Sequence, residues 1–333
     1  EPIRYTDSLE TVNKKMSFLK QSAKPISDSD IKSPWFTGDK LFFTNINNVL
    51  GQSDYKARKG IEPCGAKGIY LLNVNKKVGN DVEIENLIER SRLDKAKKLG
   101  IRKGVVETEF IYPMVGGRNF NKWGIKSIVY MIVPHAYTGK AIYKGIEEKE
   151  LKTKYSKTYK WLFYFKDLLL ETRIRSGKFF NPNVHPFYRL DNVGPYTFEK
   201  YKVIYKEQSK NMEAAVISTV NDKYLGTKQI VVDSKVLYLS FDNEHEANYV
   251  CAILNSSTIG KIIKGYTIDV QKGVDILKNI KIPKYDSSNK LHEKLASLSI
   301  QAHQLYNLSK PQDVESVELR IEKVIEDFLL EIK

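Results

Sequence analysis

The apolar residues of this chain arrive in short bursts closed by glycine, proline or asparagine, and that punctuation decides what it can fold into. Bursts of this length suit strands, whereas an amphipathic helix spreads its apolar residues at intervals of three and four. From Ser33 onward, KLFFTNI (40–46), GIYLLNV (68–74), ETEFIYPMV (107–115) and KSIVYMIVP (126–134) are the strongest strand candidates. YKVIYKE (201–207), EAAVIST (213–219), QIVVD (229–233) and VLYLSF (236–241) resume the pattern. Even the longest runs fall far short of the roughly 20 apolar residues that span a bilayer, so no membrane partner is expected.

Helical periodicity enters between and after these runs. TYKWLFYFKDLLLETR (158–173) has helical length and spacing and stops at Ser-Gly-Lys. NEHEANYVCAILNSSTIGKIIKGY (243–266) reads as a helix interrupted at Asn255, Ser256 and Ser257, residues suited to capping and breaking. Two more helices are predicted over about 287–308 and 313–331, and Val317, Ile321, Val324, Ile325 and Phe328 share one face of the last. The fold class is therefore α+β: mixed twisted β-sheets with packed helices and a helical C-terminal tail. We divide the chain into a polar tether or strap (1–32), a main domain (33–285) with room for two lobes joined near 158–180, and C-terminal helices (286–333).

The chain has 333 residues, 41% hydrophobic and 28% charged, enough to bury a core and to exclude wholesale disorder. Cys64 and Cys251 make no disulfide framework and fit a reducing cytoplasm. The first residues, Glu-Pro without a methionine, suggest a piece of something longer. A net charge of +14 calls for an anionic partner, nucleic acid first among them. The segment from Pro311 to Glu331 runs against this trend, with seven acids and two bases, and should face protein or solvent.

Sites for chemistry are hard to find. ARKGIEPCGAKGIYLLNV (57–74) places Gly60 and Gly65 at the P-loop interval, but Ala66 stands where the lysine belongs and the loop precedes a strand. The five histidines show no metal-ligand spacing, and Tyr249 occupies the second histidine position of a zinc-protease helix begun at His245. Glu148 to Lys152 contains an acid-x-lysine pair without an upstream Pro-Asp. The Asn-Pro-Pro-Tyr signature that grips a flipped adenine is missing: Asn181-Pro-Asn-Val is the nearest approach. No catalytic or metal residue is assigned.

Several segments, read in order, resemble the C-terminal target recognition domain of N6-adenine DNA methyltransferases from restriction-modification and phage-defence systems. They are SDYKARKGIEPCGAKGIYLLNV, EFIYPMVGGRNFNKWGIKSIVYMIVPH, PFYRLDNVGPYTFEKYKVIYKE, HEANYVCAILNSSTIGKIIKGY and LKNIKIPKYDSSNKLHEKLASLSIQAH. Leu-Asn-Ser-Ser and the later Ile-Pro are also similar to type I specificity subunits. The resemblance covers about Trp35 to His303 and implies a recognition-domain-like fold that reads double-stranded DNA. It further implies a methyltransferase catalytic domain, in the same polypeptide or a separate subunit, that holds S-adenosylmethionine; no cofactor is expected in this chain.

The residues supply matching candidates. In VGGRNFNKWGIK, Gly116 and Gly117 form a turn presenting Arg118, Asn119, Lys122 and Trp123. Arginine can grip guanine with two hydrogen bonds and asparagine can do the same for adenine, so these four are the base-readout candidates. Arg58, Lys59, Lys126, Lys154, Lys157, Arg173, Arg175, Lys178, Lys202 and Lys206 are the candidates for phosphate contacts. Glycines 60, 65 and 68 fit a turn pressed against a DNA backbone. Two rival readings stay open: a nuclease or RNA-modifying enzyme using Glu148–Lys152 or a site the sequence does not reveal, and an adaptor that docks a protein through its acidic last helix.

Overall fold

In the computed structural model, residues 3–17, 22–27, 29–38, 49–91, 94–135, 145–176, 180–267 and 272–332 are described. The chain opens with α1 (Leu9–Lys15) and a hairpin of β1 (Ser22–Ser27) and β2 (Asp30–Gly38). Next come β3 (Arg58–Lys59), the single turn α2 (Lys67–Tyr70), β4 (Leu71–Val78), β5 (Asp81–Asn86), α3 (Asp94–Lys98), β6 (Lys103–Glu107) and β7 (Ile111–Val115). A small hairpin, β8 (Phe120–Asn121) and β9 (Gly124–Ile125), leads to β10 (Val129–Ile132). Helices α4 (Glu148–Lys154), α5 (Ser156–Tyr164) and α6 (Lys166–Ser176) follow. After them run β11 (Tyr201–Lys206), β12 (Ala214–Ile217), β13 (Thr219–Asp222), β14 (Gly226–Gln229), β15 (Val231–Val232) and β16 (Val236–Phe241). Helices α7 (Glu244–Asn255), α8 (Ser257–Tyr266), α9 (Lys290–Asn307) and α10 (Pro311–Glu331) close the chain.

The strands build two main sheets. One has the order β15-β7-β10-β4-β5-β6, antiparallel except for the parallel β15–β7 edge. The other, β12-β11-β16-β3, is antiparallel throughout. The α+β class expected from the sequence is what the chain adopts. Consecutive strands β15 and β16 belong to different sheets, so residues 233–235 form the seam between them. Ile61 reinforces it, its N–H donating to Val232 O at 2.8 Å.

Each sheet has its own core. Trp161 and Leu162 of α5, Phe165, and Leu169 of α6 are buried with Ile69 of α2 and with Leu72, Ile84, Val106 and Ile132 of the first sheet. The stretch expected to join two lobes therefore packs inside one of them. The predicted 158–173 helix breaks at Phe165, whose side chain is buried in that core. On the second sheet, Val203, Tyr205, Leu237 and Leu239 pack with α7, α9 and α10, and the predicted apolar face of the last helix is buried there. The helical C-terminal end expected from the sequence is present, and it packs onto this core.

The predicted helix interruption falls where expected. Ser256 caps α8 through the Ile259 N–H, and Asn255 bonds both the N–H and the carbonyl of Ala214 on β12. Glu322 of α10 closes the same helix start, accepting from Ser257 N and Thr258 Oγ1. The N-terminal expectation needs correcting: the polar stretch forms α1 and a hairpin, and the 32/33 boundary falls within β2. Cross-strand backbone bonding holds such a hairpin even without an apolar face, and Thr37 Oγ1 tethers it to Gly265 O of α8 at 3.4 Å. The predicted strand KLFFTNI (40–46) lies entirely outside the described residues.

His303 of α9 links helix to sheet. Its Nε2 accepts from Val216 N at 2.8 Å while Nδ1 faces Ser299 O at 2.7 Å, an arrangement only the neutral Nδ1–H tautomer satisfies. Burial pushes the imidazole down from 6.5 to about 4, against a smaller upward pull from Ser299. Between those two values the unfolded chain carries a proton that the folded chain refuses, so acidification favours unfolding. Urea midpoints should therefore fall from pH 6.5 toward 4, and H303Q should show a shallower decline over the same window.

Candidate nucleic-acid interface

Beside the seam lies a cleft of about 490 Å³. Lys67, Arg90, Arg118, Lys206 and Lys235 line it, opposed by Glu207 and Asp233. The cations are therefore in excess, but most are tethered. Glu207 accepts from Lys59 Nζ at 3.0 Å and from Lys235 Nζ at 2.9 Å. Burial works to raise the Glu207 carboxyl, but the bonds and charges of Lys235 and Lys59 outweigh it and hold the group below the usual carboxylate range. The buried Asp233 carboxylate takes Lys67 Nζ at 2.6 Å. Lys206 pairs with Glu213.

Arg118 stands apart. It is exposed and makes no side-chain hydrogen bond or ion pair with any described residue. The turn beneath it is tightly bonded: Asn119 Oδ1 accepts from Gly116 N at 3.0 Å, and Asn119 Nδ2 donates to Ser127 Oγ at 2.8 Å. The Asn119 carbonyl accepts from Lys126 N and Ser127 N. A Cβ on Gly116 would sit 3.1 Å from Asn119 Oδ1 and 3.3 Å from Asp233 Oδ2, so glycine keeps this turn close to the seam. Asn119 is corrected from reader to scaffold, since both ends of its amide are engaged within the turn.

Lys122 and Trp123 need a larger correction. The Trp123 ring is buried, with Nε1 donating to Glu318 Oε1 at 2.6 Å, and Lys122 Nζ meets the same carboxylate at 2.7 Å. His303 packs edge-on against the indole at a centroid distance of 5.4 Å. Gly124 lies so close to Tyr306 that a Cβ would fall 2.1 Å from its ring. This end of the β8–β9 hairpin is a socket for α9 and α10, and neither residue is free to reach a base.

The phosphate candidates divide by position. Lys206 lines the cleft, Lys59 joins it through Glu207, and Lys126 is exposed beside the Arg118 turn. The Arg58 guanidinium covers the Tyr196 ring at 4.0 Å and lines a different hollow. Lys154 pairs with Glu150 and Lys157 with Asp81, and neither lines the cleft. Lys202 is corrected outright: only 1% exposed, it donates to Glu199 O at 2.6 Å, beyond reach of a phosphate. Burial pushes its ammonium down to about 7, with Glu199 pulling weakly the other way. Arg173 and Arg175 lie on α6, and Lys178 falls outside the described residues.

The glycine reading also changes. A Cβ on Gly60 would meet Asp233 O at 2.2 Å, and one on Gly68 would meet Leu87 O at 2.7 Å, so both approach this chain's own backbone. Lys67, Arg90 and Lys235 were missed because they reach the cleft from segments far apart in sequence; only Lys67 sat in a motif singled out. Glu148 accepts from Tyr159 OH at 3.0 Å. His135, His185, His292 and His303 each accept a backbone N–H. Among the described residues no cluster able to hold a metal ion forms, and no helix is long and apolar enough to cross a membrane.

No protein-family model and no curated protein matches the sequence. Among solved structures, the chain is similar to the type IIL restriction-modification enzyme MmeI in complex with DNA, with a TM-score of 0.45 and 10% identity over 86% of this chain and 34% of that one. It is also similar to the type IIG restriction endonuclease BpuSI, with a TM-score of 0.36 and 11% identity over 86% of this chain and 32% of that one. The chain spans about a third of the length of each.

Proposed function

We propose that this chain is a duplex-DNA recognition module serving an N6-adenine methylating restriction-modification enzyme, with catalysis and S-adenosylmethionine held by another domain or subunit. The observation that carries the proposal is Arg118, a guanidinium with no partner among the described residues, on an internally bonded turn at the edge of a cationic cleft. A rigid mount lowers the entropy lost when a side chain docks, and an arginine without an internal partner has both edges of its fork available for guanine O6 and N7. Lysines around it hold the duplex by its phosphates and set register.

Selection from a random duplex library should return a preferred sequence. Arg118→Ala should then relax preference at one base position, costing about 1–3 kcal/mol there, while Lys235→Ala weakens all sequences alike. Both side chains are solvent-facing, so folding should survive. A uniform loss in Arg118→Ala would reduce Arg118 to a phosphate contact, and a library without enrichment would remove the DNA-reading role.

A further inference from the structure

Resting on that DNA-reading proposal, we propose that Glu318 of α10 is a positioning residue for base recognition. It lies outside the cleft and acts by locking the β8–β9 hairpin whose base carries Arg118.

The hairpin cannot hold itself. Its strands are two residues each, paired only through Phe120–Ile125 and Asn121–Gly124, and isolated hairpins are marginal even when longer. At its tip Trp123 takes φ +71°, a left-handed conformation unfavourable for a bulky side chain. Something must hold that residue in place. The Trp123 N–H bonds Ala214 O at 3.0 Å, but the indole is anchored by Glu318, which also neutralises Lys122. A charge-assisted bond to a buried donor is strong and directional, and leaving the donor unpaired is costly.

The other end of the same excursion is the Arg118 turn. From the tip, β8 and β9 run back to Asn119, whose carbonyl receives Lys126 N and whose amide bonds Ser127 and Gly116. A rotation of the hairpin at Trp123 is therefore transmitted to the turn that aims Arg118. Glu318 reaches this point from a helix distant in sequence, so the C-terminal helix pair sets the geometry of the reading turn without touching DNA.

Five variants and two readouts test this on the full chain: the ratio of affinities for preferred and single-base-changed duplexes, and the salt slope of binding. Glu318→Ala should cut the discrimination ratio by roughly 5- to 150-fold, the range expected for losing the Arg118 contact, with the salt slope unchanged. Glu318→Gln keeps an oxygen to accept from Trp123 and should retain the ratio within about threefold, because an amide oxygen still accepts the indole N–H. The double variant R118A/E318A should discriminate no worse than Arg118→Ala alone, as expected of residues acting on one contact. If Glu318→Ala unfolds, Trp123→Phe removes the same hydrogen bond while keeping an aromatic ring in the socket, and should reproduce the loss. Full discrimination in Glu318→Ala, additive losses in the double variant, or failure of Glu318→Gln to rescue would overturn the inference while leaving DNA reading intact. An Arg118→Ala variant with unchanged discrimination would instead remove Arg118 as the base reader and leave Glu318 no contact to position, whereas a duplex library without enrichment would strike the DNA-reading proposal itself.

Discussion

Raising salt from 50 to 200 mM should lower the affinity of this chain for a DNA duplex by about 10³-fold, with a log–log slope near −5. The estimate comes from six phosphate contacts, the number that Lys59, Lys67, Arg90, Lys126, Lys206 and Lys235 can make around the cleft. Each contact releases about 0.9 of a condensed counterion, so the slope counts them. Lys59, Lys67, Lys206 and Lys235 are bound to carboxylates in the free chain. Glu207, Asp233 and Glu213 thus occupy the places that phosphates would take, and binding must exchange one anion for another.

That exchange makes the slope informative beyond its sign. If the internal pairs persist in the complex, only Arg90 and Lys126 of the six meet phosphates, and the slope should drop to about −2. Fluorescence titrations at four or five salt concentrations separate the two cases. A slope near −2 would show that the paired lysines never transfer to DNA. A flat response would exclude phosphate binding altogether and leave the +14 charge without its proposed use.

The elements whose burial is set by their own pattern were the legible ones. The apolar face of α10 was readable because helical spacing alone selects Val317, Ile321, Val324, Ile325 and Phe328, and all are buried. The break between α7 and α8 was readable because serine caps helices from local geometry. Lys202 was not, because β11 is buried across Lys202 to Tyr205 and both faces are covered, so alternation no longer distinguishes inside from outside. Trp123 and Lys122 were misplaced for a different reason. Their partner, Glu318, lies 195 positions from Trp123, and no local pattern marks a socket for a distant helix. The cleft itself is illegible in one dimension. Arg118 could be named from its glycine turn, but its neighbours Lys67, Arg90 and Lys235 converge only after the two sheets have met.

Gly60→Ala should destabilise the chain by about 4 kcal/mol and weaken DNA binding with it. The added Cβ would lie 2.2 Å from Asp233 O and 2.5 Å from Val232 O, both backbone atoms that no rotamer change can move aside. Relief requires the β15–β16 turn to retreat, which stretches the Gly60 N–Val236 O and Ile61 N–Val232 O bonds at 3.0 and 2.8 Å. Overpacking of this kind costs about 1–3 kcal/mol, and two weakened backbone bonds add about 1 kcal/mol each. The same retreat carries Asp233 away from Lys67 and distorts the cleft wall, so stability and affinity should fall together. Gly79→Ala is the control. Its φ of +62° is also left-handed, but nothing lies within 4 Å of the added atom, and conformational strain alone should cost about 1 kcal/mol. Denaturant midpoints of the two variants, measured beside the parent chain, separate close backbone approach from turn strain. Equal, small losses would mean that the sheets do not meet at Gly60 as closely as described, and the cleft built on that meeting would go with it.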